Sequence, residues 1–126
     1  TLFRSILLVG MGGFAGSVLR YLVAQLNERA GLLSLPVGTL LVNVLGSFII
    51  GLLAGIADKS ALLTPHLRLL LMVGFCGGFT TFSSFSNENL MLMHHGQFGA
   101  VLLYTGLSVF LGFGAVFLGF GTSSLL

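Results

Sequence analysis

Four runs of about twenty apolar residues each, parted by brief polar turns, leave this chain little choice of where to fold. Charged residues make up 6% of its 126 positions, three acidic and five basic. Soluble domains carry roughly 25%. A water-facing surface cannot be assembled from so few charges, so most of the exterior must face lipid. The expectation is an all-α integral membrane protein of one domain, with the lipid bilayer as its surroundings. No lysine or arginine cluster is present to hold phosphates, which excludes nucleic acid as a partner.

The spans are read at about 2–25, 35–57, 65–95 and 97–121. The first ends in the polar turn Asn27-Glu28-Arg29. The second has Ser34 as a cap and Pro36 suited to a first turn. The third opens on Thr64-Pro65 and closes on His94-His95-Gly96, potential cations followed by a glycine stop. The chain's first apolar run is too long and too glycine-patterned for a cleaved signal.

The third run is too long for one crossing. About 30 helical residues would extend roughly 45 Å, against about 30 Å of hydrocarbon. Strong tilt is one answer and a break is the other. Gly74-Phe75-Cys76-Gly77-Gly78-Phe79-Thr80-Thr81 at its centre contains weak helix formers. A break near 77–81 is therefore expected, with a half-helix on either side. Non-helical backbone at that depth survives only beside protein or a polar cavity, which makes it a site candidate.

Two further features bear on assembly. Gly12/Gly16, Gly51/Gly55 and Gly74/Gly78 are small-xxx-small pairs that let helices approach closely. With four crossings, Arg4, Lys59 and Arg68 fall on one side and Arg20 and Arg29 on the other. So even a balance gives almost no positive-inside bias, and insertion in both orientations, with antiparallel pairing, is open.

Polar residues inside the spans are the candidates for function. Thr39, Asn43 and Ser47 follow one another at i, i+4 on one helix face. Asn43 offers two N–H donors and belongs in a bundle interior, either as a helix-to-helix link or as a ligand-binding amide. Phe82-Ser83-Ser84-Phe85-Ser86-Asn87-Glu88-Asn89 is too polar for lipid and should line something wet. The positive edges of Phe82 and Phe85 could solvate an anion there without holding it tightly. Tyr104 and Ser108 align hydroxyls at i, i+4, either as a track or as an interfacial tyrosine and a back-bonded serine. Glu88 and Arg20 put charge within the membrane; arginine can snorkel, but glutamate needs a vestibule or a partner.

Other signals are weak. Gly10-Met11-Gly12-Gly13-Phe14-Ala15 fits the loose dinucleotide pattern without its βαβ context. The serines around Ser84 lack a nucleophile frame. Cys76 is single, and His94 and His95 at a helix end suit carbonyl capping better than metal binding.

Three stretches together resemble the Fluc (CrcB-type) fluoride channels of bacteria. They are Gly12-Gly13-x-x-Gly16-x-x-x-Arg20-Tyr21, Pro36-x-Gly38-Thr39-Leu40-x-Val42-Asn43 and Gly74-Phe75-x-Gly77-Gly78-Phe79-Thr80-Thr81-Phe82-Ser83-Ser84-Phe85-Ser86-x-Glu88. The resemblance covers all four spans. It implies a passive fluoride channel in the bacterial inner membrane, built as an antiparallel, dual-topology homodimer with a structural sodium ion at its centre. On that basis Phe82 and Phe85 are pore phenylalanines and Asn43 a pore donor, with Thr39 and Ser84 beside them. Tyr104 and Ser108 begin a polar track in which Gly112 replaces a further hydroxyl. Gly77 and Thr80 are the sodium positions, through backbone carbonyls. Arg20 and Glu88 are vestibule or structural charges. A small multidrug-type antiporter would need a carboxylate in the middle of the first span, and a membrane enzyme a base–nucleophile pair; neither is found in the sequence. A non-transporting scaffold predicts that Asn43 and Phe82 are dispensable.

Overall fold

The computed structural model describes residues 1–29 and 35–126, all helix and short connection with no strand among them. The elements are α1 (Leu2–Ala24), α2 (Leu26–Arg29), α3 (Val37–Lys59), α4 (Pro65–Arg68), a π-helical stretch (Leu69–Cys76), α5 (Gly77–Phe79), α6 (Phe82–His94), α7 (Phe98–Thr122) and a closing 3-10 turn (Ser123–Leu125). Among the described residues, four helical segments are long and apolar enough to cross a membrane: Leu2–Ala24, Val37–Lys59, Pro65–His94 and Phe98–Leu125. The chain is a multi-pass membrane protein.

Helix ends follow local chemistry at the start of α4 and the end of α6, and depart from it in one other place. Thr64 accepts the Leu67 N–H at 3.2 Å, with Pro65 in the first turn. At the far end of α6, Gly96 takes φ 73°, the left-handed conformation that glycine adopts freely. Its N–H donates to the Met93 carbonyl (3.0 Å) and the Gln97 N–H to the Leu92 carbonyl (2.9 Å), a Schellman closure. His95 adds a ring N–H to the Met91 carbonyl at 2.7 Å.

The departure is the start of α3. Ser34 lies outside the described residues, and Pro36 occupies the N-cap position without a side-chain bond. The cap comes from the previous element instead: Asn27 Oδ1 accepts the N–H groups of Gly38 (2.7 Å) and Thr39 (3.2 Å). The stretch read as a polar turn is therefore a helical one, α2, which turns Asn27 back onto α3. Losing an N-cap costs about 0.5–2 kcal/mol. Asn27→Ala is expected to lower the thermal midpoint of the purified protein measurably, and Asn27→Asp to retain part of the loss.

Packing is by backbone approach. α1 lies against the π-helical stretch and α5, and α3 against α7. A Cβ at Gly12 would fall on the Leu70 carbonyl oxygen, and one at Gly51 on that of Val116. Small residues set this closeness because lipid offers helices no hydrophobic reason to associate. The interior is correspondingly small, with Val42, Tyr104 and Thr39 the largest fully buried side chains. At one end Lys59 donates to the Ser123 carbonyl, tying α3 to the C-terminal turn.

Along the third segment, α5 ends at Phe79. Thr80 (φ −85°, ψ 158°) and Thr81 (φ −150°, ψ 124°) are extended, and α6 begins at Phe82.

Candidate functional site

The two extended residues set up the site, because their neighbours' hydrogen bonds are redirected to side chains. Asn43, from the middle of α3, clamps Thr81: its Oδ1 accepts the Thr81 N–H at 2.8 Å, and its Nδ2 donates to the Thr81 carbonyl at 3.1 Å. Thr81 Oγ1 then caps α6 by accepting the Ser84 N–H at 3.1 Å. From the other side, Arg20 Nε donates to the Gly78 carbonyl at 2.9 Å. Arginine one turn from the end of α1 thus reaches inward to a helix end, where a snorkelling side chain would reach for the interface. Cys76 accepts both the Thr80 N–H (3.0 Å) and its hydroxyl (2.9 Å).

The carbonyls of Gly77 and Thr80 lose their helical donors to side chains. In a continuous helix Gly77 would receive the Thr81 N–H and Thr80 the Ser84 N–H. Asn43 and Thr81 Oγ1 have taken those donors.

Beside this segment lies an open groove of about 490 Å3. Asn43 and Ser47 from α3, Gly77, Thr80 and Thr81, Phe82 and Phe85 from α6, and Ser108 from α7 are among the residues lining it. The rings of Phe82 and Phe85 are 5.9 Å apart and tilted by 42°. Phe82 is 78% exposed. Ser108 Oγ is buried and has no hydrogen-bond partner among the described residues.

A second polar centre stands behind Phe85, around Glu88. Its Oε2 accepts from Thr39 (2.6 Å) and Asn27 Nδ2 (3.2 Å), and its Oε1 from the Tyr104 hydroxyl (2.8 Å). Glu88 also borders a pocket of about 390 Å3 with Asn27, His95 and Gln97. Phe85 packs 5.1 Å from the Tyr104 ring while also lining the groove, so it forms part of the wall between the two.

The residues singled out in the sequence therefore divide. Asn43, Phe82, Phe85, Ser108, Gly77 and Thr80 meet at the groove. Thr39 and Tyr104 belong to the Glu88 cluster, which splits both i, i+4 pairs between two centres. Ser84 is not among the groove-lining residues, and offers its backbone N–H to Thr81. Two residues given no role in the sequence turn out to matter. Thr81 carries a recognisable signal, a threonine just before a helical start. Asn27 carries none, because its partners are 11, 12 and 61 residues away.

These features define a class: a small all-helical membrane protein whose polar groups gather between its spans. Residues 7–120 match the family model described as CrcB-like protein, Camphor Resistance (CrcB), and the chain belongs to that family. Relatives named fluoride-specific ion channel FluC align along almost its whole length. One from Nitratidesulfovibrio vulgaris is 44% identical over 98% of this chain and 99% of its own. One from Elusimicrobium minutum is 46% identical over 100% and 98%, and one from Gloeothece citriformis 48% identical over 90% and 92%.

Proposed function

We propose that the protein is a fluoride channel that lets the anion leave a bacterial cell passively, down its electrochemical gradient, and so protects the cell from fluoride. The near-full-length relatives, all named for that ion, support its identity. Within the molecule, the observation that carries the reading is a pair of unused donors in one groove. They are the second N–H of Asn43 and the hydroxyl of Ser108, standing beside Phe82 and Phe85.

Fluoride is small and holds its water tightly, so a path must offer strong donors in place of hydration. Ring edges and single N–H or O–H groups are moderate sites in series, which allow entry without trapping. The carboxylate of Glu88 is kept out of this path by Phe85 and held by three donors on its other side. No carboxylate lies in α1, as proton-coupled exchange by a small antiporter would require.

The working unit in this proposal is an antiparallel homodimer inserted in both orientations. An open groove and a bared Phe82 call for a covering copy, and the even charge balance permits either orientation. A sodium ion at the centre fits the same residues. Gly77 and Thr80 have carbonyls without their helical donors, two copies would bring four such oxygens together, and a hard cation favours oxygen ligands. Bound there, the ion would supply fixed positive charge and hold the two chains together.

The test is ion efflux from liposomes. Fluoride is expected to leave through the wild type, chloride to stay, and Phe82→Ala to slow the fluoride. Equal permeation of both ions sinks the selectivity; an unaltered Phe82→Ala sinks the pathway. Reporters fused to the C-terminus should be active on both sides of the membrane, and one-sided activity rejects dual insertion.

A further inference from the structure

We infer that Thr81 and Asn43 are positioning residues for the central cation, setting its affinity without giving it an atom. This rests on the cation reading above.

Six carbonyls run from Cys76 to Thr81, and three of them have donors. That of Cys76 is occupied by Thr80, that of Gly78 by Arg20 and that of Thr81 by Asn43. Of the other three, Gly77 and Thr80 are the two whose i+4 donors are held by side chains and which line the groove; Phe79 is not among the groove-lining residues. The diversions are made by side chains: the Asn43 carboxamide oxygen takes the Thr81 N–H, and the Thr81 hydroxyl takes the Ser84 N–H. Remove either acceptor, and a backbone N–H is left unmet in a place where water is scarce. The nearest remedy is to resume the helix, and that returns the donor to the Gly77 or Thr80 carbonyl. Cation binding and helix continuation therefore compete for the same oxygens. Arg20, by occupying the Gly78 carbonyl, keeps one of the two carbonyls between them out of the competition.

The experiment compares thermal unfolding of the whole purified protein in sodium chloride and in N-methylglucamine chloride. A ligand that binds only the folded state raises its stability. The wild type should unfold at a higher temperature in sodium. Thr81→Ser keeps the hydroxyl and should keep the increment; Thr81→Val keeps the branched shape and should lose it. If Thr81→Val cannot be recovered folded, Asn43 answers the same question. Asn43→Asp retains an acceptor for the Thr81 N–H and should retain the sodium increment even though its added charge stops fluoride efflux. Asn43→Leu should lose both. A full increment in Thr81→Val or Asn43→Leu overturns the inference while leaving the channel and the cation intact. No increment in a wild type that still conducts fluoride overturns the cation reading, and this inference with it.

Discussion

Liposomes carrying Asn43→Ala should release fluoride about 10- to 150-fold more slowly than wild type, with chloride still retained. The estimate follows from one hydrogen bond to a charged partner, worth about 1.5–3 kcal/mol, at about 1.4 kcal/mol per factor of ten in rate. Alanine removes the N–H that faces the groove and also both bonds to Thr81, so the upper end of the range is the better expectation. Each lost bond acts at the same point, where the anion would pass the two rings. Initial efflux rates measured with a fluoride electrode decide it. An Asn43→Ala channel running at the wild-type rate would remove the carboxamide from the pathway altogether.

Gly16→Ala is expected to prevent recovery of a folded protein. A Cβ at this position would coincide with the Phe75 carbonyl oxygen and stand 2.8 Å from the Phe79 backbone nitrogen. Both obstacles are backbone, which has no rotamer to change. Overpacking commonly costs about 1–3 kcal/mol, and more where nothing can give. To make room, α1 must lift off the π-helical stretch and α5, which carries Arg20 away from the Gly78 carbonyl. Gly10→Ala is the control in the same helix. Nothing lies within 4 Å of its would-be Cβ, so it should fold as well as wild type or slightly better. Size-exclusion recovery and thermal midpoint separate the two variants; equal recovery would mean that α1 does not sit where the glycines place it.

The four crossings were legible because bilayer thickness converts directly into run length, and each run announces itself without reference to any other. Thr64-Pro65 and Gly96 were legible for a similar reason, since caps are local. What could not be read was which neighbour a helix face meets. The spacing of Thr39, Asn43 and Ser47 puts them on one side of α3, yet that side touches α6 near Glu88 at one level and the extended pair at another. Tyr104 and Ser108 divide in the same way, one turn apart. The π-helical geometry of Leu69–Cys76, a stretch that packs on α1, had no signal in a leucine-rich run without proline. The Asn27 cap was out of reach for the same reason: its partners are brought to it by the fold alone.

Glu88 has a mechanical consequence as well. It sits about two turns along α6 and grips α2, α3 and α7 at once through Asn27, Thr39 and Tyr104. The foot of that helix is two extended residues, clamped by Asn43. A rigid rod fastened at its foot and again further along has its tilt set by both fastenings. The placing of the Phe82 and Phe85 rings is therefore fixed in part by an acid that is not among the residues lining their groove.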